Sequence, residues 1–525
     1  MTDPTIAKKL VGGDTEFSGF LTTGSGAGGD TGAAAARLLL SQIDGYPRTA
    51  RLVAAPSISG TDVGRRFLSN GKSAYIDCEK LEMPHAEVLS AREWVAGWES
   101  TLRIVRDAQR SVNDALPGGC RVHVHANNSD GEHSWGAHIN VLCTRNEFEN
   151  IVELAQPVHM LYLASFMASA IVVTGQGQVG PNCGSAPVQY QLSQRAEHFS
   201  RLIGLSTMSP YRSFINTRDE SHALTGQARL HVIAYDANRQ QMATYLKIGT
   251  LQIVLTMLEA GYIDTAPLLE DPLAAVVAYS RDPLLEARAR TLHGRSLTAL
   301  ELQFMFAEAA SRFVETGACE GIVPEAENIV SRWREVLLAL KAKDPAGDRL
   351  DWPLKLSIIE RAMRQNSALT WESPEVRQLD HMYSSLDDRD SLYQAMERAG
   401  YVQTVVDEAE TQRAVGEPPD STRAYTRGKL LDLADPDEVV AVDWSWIRFR
   451  IKGRSYWPTY RSVFLSDPLG FTRADTGAIF EAATTLEQAL DAFDRKYPPS
   501  PTRLAADPPY DYATGGTTHG VSRTN

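Results

Sequence analysis

Two carboxylates set two residues apart, Asp14 and Glu16 in VGGDTEF, are the first residues of this chain able to do chemistry. On a strand, alternate side chains share a face, so both would point the same way and repel unless a cation lay between them. Magnesium takes oxygen ligands and keeps positions open for nucleotide phosphates, so the pair suits half of a metal site. A solvated strand face would show the same pattern.

Three further sets follow. In NGKSAYIDCEKLEMPHAE, strand alternation puts Ser73, Tyr75 and Asp77 on one face, with Glu82 and Glu87 beyond; Asp77 has the chemistry of a general base and Glu82 that of a metal ligand. In NNSDGEHSWGAHIN, His138 and Asn140 share a face after a turn, and in ARLHVIAYDAN Arg229 and His231 do so. One such histidine is more often structural, but four such sets in one chain favour a site. His123 and His125 in RVHVHAN also share a face; with no third ligand in view they read as structural or partner-facing. GSGAGG, with Gly24, Gly26 and Gly29, matches a dinucleotide fingerprint. It lacks a clear βαβ setting and a G-K-[ST], so it reads as a flexible loop.

The elements that would carry these sets are β-rich over the first 235 residues and mostly helical over the next 175, an α+β pattern. Strands are expected over 9–17, 73–78, 121–126, 136–143 and 229–234, and helices over 91–115, 148–169, 240–259, 296–314 and 326–340. Trp94, Trp98 and Leu102 form a core-facing stripe. The polar, Pro-rich GEPPDSTRAYTRG at 416–428 reads as a linker. It would divide a catalytic domain, 1–429, from a small C-terminal domain, 430–497, with a disordered tail over 498–525.

With 525 residues the chain can bury a large core without disulfides. A net charge of −13 argues against a general nucleic-acid or anionic-membrane binder. Five scattered cysteines with no C-x-x-C suggest neither a disulfide framework nor a cysteine zinc site. No signal-peptide run opens the chain and no segment reaches the roughly 20 apolar residues of a membrane helix, so a cytoplasmic protein is expected.

In order along the chain, NNSDG…GAHIN, QLSQRAEH, INTRDESHA, RLHVIAYDAN, TYLKIGT, DWPLKL and PPDSTRAYTRG resemble the bacterial family of the Pup ligase and the Pup deamidase/depupylase. These are relatives of glutamine synthetase that act on the ubiquitin-like tag Pup, and the resemblance runs from about residue 9 to 450. It implies a glutamine-synthetase-like curved antiparallel sheet that cradles ATP and Mg2+, packed with helices and followed by a small C-terminal domain. It places Asp14, Tyr75, Glu82, His138 and His231 at the metal site, with Glu16 completing the acidic pair. It also makes Asp77 the catalytic aspartate, sets Arg229 on the nucleotide phosphates and packs Trp444 against the adenine. The partners it implies are a Pup-like tag and its protein conjugates; it implies no oligomeric state.

GQGQVG, AYSRDPLL, GRSLTALELQ, DWPLKL, TRAYTRG and the five-residue step from Asp77 to Glu82 resemble the deamidase branch, whereas QRAEH is ligase-like. The segment between Glu16 and Asn70 is also short for the deamidase's mobile loop. The chain departs from the family pattern where Asp14 replaces a glutamate, Ser73 an arginine expected to contact ATP, and Ile139 a glutamate at a position turned away from His138, and where the family's H-P-E-Y reads Lys80-Leu81-Glu82-Met83. The expected activity is an ATP- and magnesium-dependent deamidase or isopeptidase. The alternatives are a ligase forming an isopeptide bond and a catalytically weakened tag-binding homologue.

Overall fold

The computed structural model describes residues 6–24, 31–45, 63–153, 155–182, 184–218, 222–344, 346–451 and 459–498. The Gly-rich residues 25–30, most of the short segment before Asn70 and the expected tail beyond Pro498 lie outside the described residues.

Its first six strands are β1 (Val11–Thr22), β2 (Val63–Phe67), β3 (Ser73–Asp77), β4 (Lys80–Val88), β5 (Arg121–His125) and β6 (Ala137–Thr144). A short hairpin, β7 (Gln178–Val179) with β8 (Tyr190–Gln191), precedes β9 (Arg201–Gly204), β10 (Ser213–Asn216) and β11 (Gln227–Val232). Nine of these make one sheet in the order β2-β3-β4-β1-β6-β11-β10-β9, with β5 on the outer half of β1. Every pairing in it is antiparallel except β9 with β10. β1 extends past the expected end at residue 17 because Ser18–Thr22 pair with β5. The neighbours of β1 are antiparallel, so the helix Thr31–Gln42 that follows it closes no βαβ dinucleotide unit.

Alternation along β1 separates two environments. Val11, Gly13, Thr15 and Phe17 are buried, while Asp14 and Glu16 between them are partly open. Behind the buried side lies the helix Ala91–Ala115, whose Trp94, Val95, Trp98, Leu102 and Val105 face the sheet. Phe17 stacks on Trp98 at 5.9 Å. Burying each such side chain contributes about 1.5–3 kcal/mol. The helix begins where expected because Ser90 and Glu93 form a capping box, the Ser90 hydroxyl accepting from the Glu93 amide at 3.0 Å. At Gly13 a Cβ would lie 2.3 Å from the His138 carbonyl oxygen and 2.6 Å from the Trp94 ring, so only glycine fits there.

The expected helix over 148–169 is two, Arg145–Val152 and Pro157–Thr174, the second starting at a proline that has no amide to continue the first. The expected helix over 296–314 starts only at Ala299: Ser296–Thr298 form β13, pairing with β12 (Arg288–Arg290), and Thr298 caps the helix. Contrary to the sequence reading, Pro157–Thr174 is long and apolar enough to cross a membrane. Its residues 162–174 are all buried in the helical core, which accounts for that composition.

β14 (Val439–Val442), β15 (Trp446–Ile451) and β16 (Thr459–Phe464) form a small sheet whose core includes Ile447, Phe449, Val463, Leu490 and, from the main sheet, Phe67. Residues 416–428, expected as a linker, run into the helix Ala424–Leu433 and pack against the main sheet. Thr422 Oγ1 donates to the Glu87 carbonyl at 2.7 Å, and Arg423 and Arg427 are buried against the Glu87 carboxylate at 2.9 and 2.5 Å. A Cβ on Gly428 would meet the Ser69 carbonyl at 2.2 Å.

Candidate active site

Strand register brings the expected residues together in rows across one face of the sheet. Tyr75 on β3 stands opposite Glu82 on β4, and Glu82 opposite Glu16 on β1. In the next row Pro84 faces Asp14, and Asp14 faces His138 on β6. In the third, Gly12 faces Asn140, and Asn140 faces His231 on β11. Side chains repeat every two residues, so these rows project to the same side. Asp77 lies one step beyond Tyr75 on that face, opposite Lys80, and Arg229 one step from His231. Ile139 turns the other way and is buried in the helical core.

Asp14 Oδ1 lies 2.7 Å from His138 Nδ1, and the His138 and His231 rings meet edge to face at 5.1 Å. Ligand atoms of Asp14, His138 and His231 fall within 4.8 Å of one another, a spacing that one ion can bridge. Glu16 Oε1 accepts from the Gly136 amide at 2.8 Å. A Cβ on Gly136 would sit 2.6 Å from His138 Nε2 and 2.8 Å from Glu16 Oε1, so the missing side chain is what lets the two groups converge.

The charges do not balance within the protein. Burial pushes the Glu82 carboxyl well above the carboxylate range, and the neighbouring Asp14, Glu16 and Asp77 push it further. Glu16 is also raised by burial, with His138 and the Gly136 amide offsetting part of the effect. Burial and Glu82 raise the Tyr75 phenol. Burial would raise Asp14 too, but His138, His231 and Arg229 outweigh it and hold its carboxyl well below the usual range. His231 is kept neutral by burial, then by His138 and Arg229. Among the described residues neither ring nitrogen of His231, nor Asn140 Oδ1, has a hydrogen-bond partner. Three clustered carboxylates, a phenol and a neutral, unpartnered imidazole are the donor set a divalent cation needs. The oxygens suit magnesium, and the imidazoles would also accept softer divalent ions.

Trp444 lies apart from these rows, between β14 and β15, at the Phe67 end of β2. Its ring stands edge-on to Phe67 at 5.4 Å and carries the Arg427 guanidinium at 4.9 Å. Phe67 pairs with Ser73, which is fully buried with an unpartnered Oγ. His123 and His125 extend the same face along β5, stacked on the exposed Phe20 at 4.8 and 6.0 Å. His381 approaches His125 at 6.2 Å, but among the described residues these rings do not converge on a shared ion position. Sequence reasoning passed over Gly136, although it sits inside the quoted SWGAHIN, and Arg65, which lies 4.0 Å over the Tyr75 ring from a strand with little apolar signal, VGRRF.

The family model described as Pup-ligase protein matches residues 37–448. A depupylase of Acidothermus cellulolyticus is 35% identical over 84% of this chain and 87% of its own length. A Pup–protein ligase of Acidimicrobium ferrooxidans is 32% identical over 89% and 96%. Among solved structures, the ligase PafA in complex with the prokaryotic ubiquitin-like protein Pup aligns with a TM-score of 0.74 at 23% identity, over 95% of this chain and 97% of that one. PafA with ADP aligns with a TM-score of 0.67 at 26% identity, over 82% and 92%.

Proposed function

Because the chain belongs to the Pup-ligase protein family, and is an enzyme of that family, we propose that it is an ATP- and magnesium-dependent deamidase or isopeptidase. Its substrate is the C-terminal Gln or Glu of a Pup-like tag, free or joined to a protein lysine. The observation that carries the reading is the convergence of Tyr75, Glu82, Glu16, Asp14, His138 and His231 beside Asp77 on one sheet face. The naming of a 35% identical relative as a depupylase supports the hydrolytic direction. Among the described residues Cys120, Cys143 and Cys319 are thiols and not disulfides, which suits a reducing compartment such as the cytoplasm.

The six residues of the rows would hold magnesium, Arg229 the nucleotide phosphates and Trp444 the adenine. Bound there, magnesium-nucleotide supplies concentrated positive charge beside phosphoryl oxygens, which stabilises negative charge developing on a carbonyl. Asp77 does the proton work: its carboxylate accepts a proton from water as oxygen adds to the amide carbon. It returns that proton to the nitrogen as the C–N bond breaks, releasing ammonia or the lysine amine. Arg229 adds to His138 and His231 in keeping Asp14 ionised against burial, and is a fixed cation at the same face.

The ligase-named relative at 32% identity favours a second reading, in which Asp77 takes the proton of an incoming lysine amine and ATP is consumed. Mass spectrometry separates the two after incubation with magnesium, ATP and a Gln-terminated Pup-like peptide, a Pup–lysine conjugate, or a Glu-terminated peptide together with a lysine-bearing acceptor protein. Deamidation and cleavage, lost in Asp77→Asn while nucleotide still binds, are the expected outcome. New conjugates would establish the ligase, and full hydrolysis by Asp77→Asn would remove Asp77 from the chemistry.

A further inference from the structure

Arg65 and Arg66 leave the edge strand β2 in opposite directions. Arg66 Nη1 donates to the Ile43 carbonyl at 2.7 Å, on the side of the helix Thr31–Gln42. Arg65 is partly buried and turns to the site face, its guanidinium carbon 4.0 Å from the centre of the Tyr75 ring. Its position along the sheet is informative. Successive residues of β3 on this face are Ser73, paired with Phe67 at the Trp444 end; Tyr75, under Arg65; and Asp77. Arg65 therefore stands between the aromatic corner and the reacting end, beside the row Tyr75–Glu82–Glu16. β3 itself offers no cation to that stretch, because Ser73 is short, fully buried and has an unpartnered hydroxyl. Arg427 is fully buried and bound to Glu87 and to two backbone carbonyls.

We propose that Arg65 is a nucleotide-binding residue that contacts the phosphate chain from β2, filling from the neighbouring strand the place that Ser73 is too short to reach. The proposal rests on the reading of this face as a nucleotide site. A guanidinium offers a planar set of donors to phosphate oxygens, and the Tyr75 ring beneath it fixes its plane in advance, so little side-chain freedom is lost on binding.

Isothermal titration of the full chain with ATP, ADP and adenosine, each with magnesium, tests this without reference to turnover. Losing a charged hydrogen bond to phosphate weakens binding on the order of ten- to a hundredfold. Arg65→Gln should lose that much for ATP and ADP and nothing for adenosine, and Arg65→Lys, which keeps the charge, should recover part of it. Thermal unfolding at the wild-type temperature shows that the variants are folded. Wild-type affinity for ATP in Arg65→Gln overturns the proposal, as does an equal loss for adenosine, which would mean that Arg65 only shapes the pocket. Wild-type protein that binds no nucleotide overturns the underlying reading as well, and is distinguishable because no variant is then needed.

Discussion

Replacing Gly136 by alanine isolates the geometry of the cluster from the stability of the fold. Gly136 has no left-handed backbone, so alanine adopts its conformation without strain, and the consequence comes from one methyl group. That methyl would lie 2.6 Å from His138 Nε2 and 2.8 Å from Glu16 Oε1. To reach an ordinary contact of 3.4 Å, the imidazole must give 0.8 Å and the carboxylate 0.6 Å, in directions that separate the two. Both are side-chain ends, so the strand need not move and the unfolding temperature should change little. Misplacing a reacting or binding group by about 1 Å costs on the order of a hundredfold in rate. The expectation is a hundredfold loss of turnover, with a ten- to hundredfold weaker affinity for manganese, read by electron paramagnetic resonance. Gly13→Ala, three residues from Glu16 and on the opposite face, is the counterpart. Its Cβ would meet a backbone carbonyl at 2.3 Å and the Trp94 ring at 2.6 Å, so it should destabilise by about 1–3 kcal/mol, with ion affinity affected only through unfolding. Gly136→Ala with wild-type manganese affinity and turnover would refute the convergence of His138 and Glu16 on one ion.

Two buried groups outside the cluster make pH-dependent predictions. Burial alone would raise Glu87, but Arg427 and Arg423 outweigh it and bring its carboxyl from 4.5 down to about 2. The native state thus binds that proton less readily than the unfolded chain, and the stabilisation, complete above pH 4.5, is lost as pH falls toward 2. Glu87→Gln should remove that dependence in acid denaturation and cost about 3–5 kcal/mol at neutral pH, because two buried guanidiniums lose their counter-ion. Lys72 shifts in the same direction but costs stability at neutral pH: burial lowers its ammonium from 10.5 to about 7, with the Gly97 carbonyl at 3.1 Å as a hydrogen-bond partner. Stability should therefore climb between pH 7 and 10.5, and Lys72→Met, which removes the buried cation, should flatten that rise and stabilise the protein at neutral pH.

The parts of this site legible in the sequence were those governed by alternation. Asp14 with Glu16, Tyr75 with Asp77, His138 with Asn140 and Arg229 with His231 each sit on strands whose period of two assigns the face, and the register then aligns the faces. The boundary of the helix at Ala91 was legible because its apolar stripe and capping residues agree, whereas the break at Pro157 was hidden inside apolar composition that runs on both sides of it. The packing of the segment 416–428 was hidden for a different reason. Proline and polar residues mark a turn-rich stretch equally well whether its side chains meet water or a buried carboxylate, and here Arg423 and Arg427 find Glu87, more than 300 residues away in the chain. Gly136 and Arg65 escaped because their roles exist only across strands: one acts by leaving room between two neighbours, the other by reaching over a ring on the next strand. The substitution at Ser73 looked like a lost contact while β3 was considered alone. The role proposed for Arg65 would move that contact to β2, so the charge at that edge of the site has to be counted over the strand pair and not residue by residue.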